Sequence, residues 1–408
     1  MEIETPSRSI IFNKHLVWML LIQTVTAMAY YGYIPLIPMI ERDFKLNKME
    51  IGWMTSFIFV GSSIIAIPSG ILVDRLGSRK VLLIFTSCLV VVLSCFAIVN
   101  NFWLLLILLL LIGVCYGSVT PGTNKHIMTH FSILNRGTIM GLKQMGVPLG
   151  SALGTITLPF IAYQYNWRAS MLVLAAITLL LVVIYYKTIE PEIIETVSKS
   201  TILIDLSIIL KNKALIHTIC IIFFFIWVQL SVMTYLVVYF IQDKSIGFAL
   251  ATASLVLLQV GGVIGRALWG WINDKWMNRD RSKIIGIIGL SSGFLLIIMI
   301  ALPSSFSLIG IYILVFLLGI TTQGWNGIFV VMISEVAPKQ YIGLASGVGL
   351  SVVYLGAIIG TPLSGKLIDL QHNYTFMWAI CAVVILLVGL SLFLKPIKIN
   401  NITEEIIK

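Results

Sequence analysis

The chain reads as an all-α integral membrane protein: twelve transmembrane helices in two pseudo-symmetric halves of six. Three observations predict this. Of its 408 residues, 59% are hydrophobic and 11% charged, with a mean hydropathy of +1.01, well outside the usual composition of soluble domains. Apolar runs of about 20 residues, the length that crosses a bilayer, recur along the whole chain. One short word also occurs twice. Gly70-Ile71-Leu72-Val73-Asp74-Arg75-Leu76-Gly77-Ser78-Arg79-Lys80 is echoed by Gly270-Trp271-Ile272-Asn273-Asp274-Lys275, with Gly and Asp both displaced by 200 positions. A second set recurs at a displacement of 206: Gly113/Gly319, Gly137/Gly343, Gly141/Gly347, Gly150/Gly356, Gly154/Gly360 and Thr155/Thr361. Glycines repeat in this way when two halves share a helix-packing scheme, because a missing side chain lets backbones approach.

The spans fall at about 15–40, 49–73, 80–99, 102–124, 137–163, 167–187, 215–241, 247–273, 284–302, 306–330, 342–368 and 375–394. No cleavage-like site follows the first run, which reads as a retained span. Residues 1–187 form the first half, 188–214 a linker and 215–408 the second half. The linker mixes charges with Ile202-Leu203-Ile204 and Ile208-Ile209-Leu210, a pattern that suits either a short interfacial helix or a plain tether. Cys88, Cys95, Cys115, Cys220 and Cys381 all lie in apolar runs and read as free small hydrophobes.

With the N-terminus inside, about 19 of the 27 Lys and Arg fall on the cytoplasmic side, a strong positive-inside bias. Both termini are therefore expected to be cytoplasmic, in the cell membrane. The net charge of +10 reports topology and contact with anionic lipid, so nucleic acid is not an expected partner. Two related apolar halves are the mark of a secondary transporter.

The repeated Gly-x-x-x-Asp loop after spans two and eight resembles the signature loop of the major facilitator superfamily, and the twelve-span layout extends that resemblance over the whole chain. The first copy is close to the family pattern, including Arg75, Gly77, Arg79 and Lys80; the second is degenerate after Lys275. Asp74 and Asp274 end helices, where a carboxylate can accept from neighbouring helix N-termini or pair with adjacent basic groups. Gly70, Asp74, Arg75, Gly77, Arg79, Lys80, Gly270 and Asp274 are thus candidates for a conformational latch.

None of the 17 Asp and Glu falls near the middle of a span. Two cations do lie inside spans: Arg266 in the eighth and Lys143 in the fifth. At 1.5 Å per residue both sit on the order of 10–12 Å from the inner surface. A cation at that depth usually faces a partner or a water-filled cavity, which points to an anionic substrate; for Arg266 the alternative is snorkelling to the headgroups. Gly265-Arg266-Ala267-Leu268-Trp269-Gly270 resembles the eighth-span motif of monocarboxylate transporters and oxalate–formate-type exchangers. That resemblance implies that Arg266 contacts a carboxylate. Gly262 stands where monocarboxylate transporters carry an Asp, and Lys366 sits too near a span end to match the eleventh-span lysine of the oxalate exchangers.

Uncharged groups that could orient the anion are Gln144, Tyr30, Tyr31, Gln229, Tyr235, Gln259, Asn326 and Tyr354, with Gln23, Gln323 and Trp325 also at mid-span. Each taken singly reads as well as a helix–helix hydrogen bond. Gly146-Val147-Pro148-Leu149-Gly150 reads as a kinked, tightly packed segment. His126 and His130 read as solvated beside an inner loop, no histidine pair reads as a metal site, and no metal or cofactor is expected.

The expectation is a transporter of a small organic anion, a mono- or dicarboxylate, working by alternating access as an exchanger or proton-linked symporter. Protons or a counter-anion would be its co-substrates, and a monomer suffices. The alternatives are an exporter of drugs or metabolites and a non-transporting receptor with the same fold. No nucleophile–base set or phosphate loop suggests an enzyme.

Overall fold

The computed structural model describes residues 13–131, 136–190, 213–277, 280–303, 306–336 and 342–397. Every described element is helical, and twelve stretches are long and apolar enough to cross a membrane. With no water to bond in hydrocarbon, such runs must satisfy their amides internally. The first half contains α1 (Lys14–Tyr31), which passes through a 3-10 turn (Ile34–Leu36) into α2 (Ile37–Phe44), then α3 (Lys48–Leu76), α4 (Ser78–Cys95) and α5 (Phe102–His130). It ends with α6 (Arg136–Gln144), α7 (Gly146–Gln164) and α8 (Trp167–Thr188). The second half contains α9 (Lys213–Gln242), α10 (Phe248–Trp276), α11 (Arg281–Ala301), α12 (Leu308–Thr322), α13 (Asn326–Val336), α14 (Ile342–Gln371) and α15 (Tyr374–Leu394). The linker segment 191–212, with its apolar patch, lies outside the described residues.

Short polar side chains set where helices begin. Asn13, Asn101, Asn166, Asp280 and Asn373 each accept from an amide two or three residues ahead, the capping role such side chains favour. Asn47 and Glu50 bond each other's amides at 2.8 Å in a reciprocal box at the start of α3. Ile67, Ile98, Trp103 and Phe160 are largely exposed, a surface suited to lipid and not to water. The protein is a multi-pass membrane protein.

By internal contact the chain forms two compact units, Met1–Leu46 with Trp53–Ser198 and Asn47–Gly52 with Lys199–Lys408. In the first unit α3 and α5 touch backbone to backbone. A Cβ added at Gly61 would overlap the Leu110 carbonyl, and one at Gly113 the Ile58 carbonyl. Likewise α7 packs on α1 through Gly150 over Thr24 and Gly154 against Met28. The second unit repeats this scheme: Gly261 over Phe316, Gly319 over Leu258, Gly356 against Phe223 and Gly360 against Trp227. The match is residue by residue, since Gly61/Gly261 and Ile58/Leu258 are 200 apart while Gly113/Gly319 and Leu110/Phe316 are 206 apart. The sequence repeat is therefore a repeat of helix contacts. Gly70, Gly141, Gly270 and Gly347 differ, because a Cβ there would meet nothing within 4 Å.

Four spans depart most from their expected bounds, the first by running on through the 3-10 turn to Phe44. The fourth runs on to His130. The fifth breaks at Met145 between α6 and α7, where Pro148 has no N–H to offer the Gln144 carbonyl. The tenth breaks at Gln323–Trp325 and resumes to Val336. At that break Trp325 Nε1 donates to the Thr322 carbonyl at 3.0 Å and Asn326 Nδ2 to the Gln323 carbonyl at 3.0 Å. Side chains thus satisfy the backbone that the break frees.

Candidate functional site

In the second unit the break and the buried arginine meet. Gly265 packs on Ile320, and Trp269 Nε1 donates to the Ile320 carbonyl at 2.9 Å. A Cβ built at Gly327 would come 3.9 Å from the Arg266 carbonyl. Arg266 therefore stands on α10 beside the first turn of α13, half-buried and with its Nε shielded from solvent. A helix N-terminus presents unsatisfied N–H groups and the positive end of a dipole. The main chain at Arg266 and this helix start thus form a corner between α10 and α13.

Amides surround that corner. Asn326 Nδ2 also lies 3.2 Å from Gln229 Oε1. Gln323 is 4% exposed and folds over Gly262, where an added Cβ would come 2.7 Å from its Oε1. The bare position one turn before Arg266 thus makes room for an amide from the tenth span. Gln323 Nε2 has no hydrogen-bond partner among the described residues. Gln259 is buried on α10 and Tyr354 half-buried on α14. Tyr235 is fully buried, but its hydroxyl lies 2.8 Å from the Lys48 carbonyl and 2.9 Å from that of Thr361. That bonding gives it a structural place in the unit and corrects the cavity reading.

The first unit handles its cation differently. Lys143, fully buried, donates to Asn124 Oδ1 at 2.8 Å and Thr123 Oγ1 at 3.3 Å on α5. Its missing partner is thus two neutral oxygens of its own unit, a correction to the reading of an open cation. Gln144 beside it is exposed. Tyr30 is buried, stacks on Tyr116 at 4.1 Å, meets Tyr31 edge-on at 4.8 Å and receives a 3.2 Å bond from Ser62 Oγ. Gln23 Nε2 reaches the Tyr116 hydroxyl at 3.5 Å. Tyr116 was not singled out in the sequence, since nothing but mid-span depth marks it.

The two Asp residues of the repeated loop each hold a cation, though not those nearest in sequence. Asp74 pairs with Lys125 of α5 at 2.9 Å, while Arg79 donates to the Tyr186 carbonyl at 2.9 Å and lies over that ring at 5.3 Å. Arg75 and Lys80 are exposed, and Gly77 has φ 81°, a left-handed conformation that favours glycine. In the second unit Arg281, 8% exposed, bridges Asp274 at 3.0 Å and Glu335 at 3.3 Å. No described helix N-terminus donates to either Asp.

Of the two histidines expected to be solvated, His130 is exposed and His126 is not. His126 is fully buried and groups with His15 and His130. Only the fold brings α1 against this face of α5.

The Major Facilitator Superfamily model matches residues 19–361. A hexuronate transporter of Bacillus subtilis is 22% identical over 385 residues, covering 88% of this chain and 89% of that protein. A 3-(3-hydroxy-phenyl)propionate transporter of Escherichia coli is 26% identical over 360 residues, covering 87% of each. Among solved structures, a bacterial homologue of the human lysosomal transporter Spinster superposes with a TM-score of 0.79 at 14% identity, covering 96% of this chain and 97% of that one.

Proposed function

The chain belongs to the major facilitator superfamily, and from that premise we propose that it carries a small organic anion bearing a carboxylate across the cell membrane by alternating access. Arg266 is the primary charge. The observation that carries this reading is the placement of Arg266 beside the first turn of α13, at the break in the tenth span. Half-helix N-termini aimed at anionic groups are a recurring device of secondary transporters. Gln229, Gln323 and Asn326 would then orient the carboxylate and whatever hydroxyl it carries, with Gln259 and Tyr354 as outer contacts.

The relatives support the same class. Hexuronate and 3-(3-hydroxy-phenyl)propionate differ in almost everything except a carboxylate and hydroxyl groups, and one cation ringed by amides is what such a shared feature requires. Both termini lie in the cytoplasm on this reading, as the basic loops dictate. The latch pairs Asp74–Lys125 and Asp274–Arg281–Glu335 then sit at the cytoplasmic ends of their spans. Exchange of anions, or symport with a proton, provides the driving force without a mid-span carboxylate.

The test is uptake into proteoliposomes loaded and unloaded with anions. Labelled hexuronates and phenylpropionates should enter wild-type vesicles, and Arg266→Ala should lower uptake by about 100-fold, the scale of losing a charge-assisted contact. Equal uptake by wild type and variant would remove Arg266 from the site. Transport of cations or neutral drugs alone would replace the anion reading with export.

A further inference from the structure

At one end of the first unit three imidazoles converge. His126 and His130 stand four residues apart on α5, so one face of that helix carries both, and His15 reaches them from α1. One ring nitrogen of each lies within 4.8 Å of the other two. His15 Nδ1 is 2.9 Å from His126 Nε2. His130 stacks on His126 at 4.1 Å and on His15 at 4.2 Å. None of these residues has a place in the anion site or in the latch.

We propose that His15, His126 and His130 form a binding site for a divalent transition metal of the zinc type. Two histidines at i, i+4 with a third from a neighbouring element is a ligand set that zinc takes with an open fourth position. The nitrogens that would not ligate are already anchored. His126 Nδ1 lies 3.0 Å from Ser78 Oγ, and His130 Nδ1 donates to the His126 carbonyl at 2.9 Å. Ligating histidines are held in this way by hydrogen bonds at their second nitrogen, which fix ring orientation and tautomer. His130 Nδ1 must donate to its carbonyl partner, and in the tautomer a metal would select His126 Nδ1 donates to Ser78 Oγ, so that both lone pairs are on Nε2.

His15 completes the set. In that tautomer His15 Nδ1 donates to His126 Nε2, along the line that a metal would take. Moving that proton to its own Nε2 turns Nδ1 into a ligand, with no change in net charge. Two tetrahedral ligands at about 2.0–2.1 Å from zinc stand about 3.3 Å apart, so the pair must open by only a few tenths of an ångström. Imidazole is the preferred ligand for zinc, nickel and copper and a poor one for magnesium or calcium. Bound metal would staple the first and fourth spans next to the Asp74–Lys125 pair and stabilise that unit.

The experiment uses full-length, tag-free protein in detergent. Zinc chloride should bind at about one ion per chain and raise the unfolding midpoint by several degrees; magnesium should not, and EDTA should reverse the gain. His15→Gln and His130→Gln should each weaken zinc at least tenfold, and Ser78→Ala about tenfold through loss of the anchor. Absence of saturable zinc binding by the wild type would overturn the proposal, as would undiminished binding in both glutamine variants. If the variants fail to fold, zinc-edge X-ray absorption of the wild type decides: three imidazole nitrogens support the site, two or fewer contradict it.

Discussion

Residues 102–130 and 308–336 hold equivalent places in the repeat, displaced by 206 at both ends, yet the first is one helix and the second is two. Proline does not explain the difference, since Pro121 lies inside the unbroken helix. The broken span instead carries Gly324 between Gln323 and Trp325, and its side chains bond the freed carbonyls. The difference reaches the cations. Lys143 lies against the intact span and gives its donors to Asn124 and Thr123. Arg266 lies against the interrupted one, beside a helix start. A common scaffold has thus kept these glycine contacts while diverging at the fourth and tenth spans, where the interruption puts a helix start beside the main chain of Arg266.

The largest effect that would break this comparison is at the two cations. Arg266→Ala should cost about 100-fold in carboxylate uptake, whereas Lys143→Met should cost only a few-fold, since its charge is already held by neutral oxygens. Equal losses would mean that both units share the charge-binding role.

Next come the two latches. The Arg281 side chain is 10% exposed and binds two carboxylates whose own side chains are 59% and 34% exposed, whereas the side chains of Lys125 and Asp74 are 39% and 55% exposed. Removing one partner of a buried pair leaves an uncompensated charge and costs about 3–5 kcal/mol, against about 0–1 kcal/mol for an exposed pair. Asp274→Asn combined with Glu335→Gln, which strips the buried guanidinium of its counter-charges, should therefore lower the thermal unfolding midpoint more than Asp74→Asn. A reversed order would show that burial is not what separates the two.

Smaller still are the amides. Gln323→Ala and Asn326→Ala should each weaken carboxylate binding about tenfold, the worth of one good hydrogen bond to a charged group. Gly117 and Thr120 hold the equivalent places in the first unit, and Thr120→Ala should leave binding unchanged. Comparable losses at Thr120 and Asn326 would place substrate contacts on both units.

The fold was legible because its causes are periodic. Twelve apolar runs and glycines recurring at 200 and 206 are visible in one dimension, and the contacts of Gly61, Gly113, Gly261 and Gly319 show what the recurrence does. The site was legible only in part. Arg266 stands out as a charge in an apolar run, and Gly262 as a position where the resemblance led one to expect an Asp. That Gln323 would fill the space over Gly262 is a fact about which helices touch. The same holds for Lys143, whose partners lie 19 and 20 residues away on another helix, and for His15, which is 111 residues from His126. Tyr235 misled because depth in a span marks a cavity residue and a backbone-bonded tyrosine equally well. Gly70 and Gly270 mark the repeat, and no packing contact in the structure accounts for either of them.

The central claim is that Arg266 at the broken tenth span binds a carboxylate. The most direct measurement is thermal stabilisation of the purified protein by a panel of small carboxylates, with sugars and cationic drugs as controls, on wild type, Arg266→Ala and Lys143→Met. A ligand that binds only the folded state raises its stability in proportion to occupancy. The account predicts that carboxylates alone stabilise the wild type, that Lys143→Met keeps most of the shift, and that Arg266→Ala loses it. Stabilisation of Arg266→Ala by the same carboxylates, at the same concentrations as wild type, would contradict it.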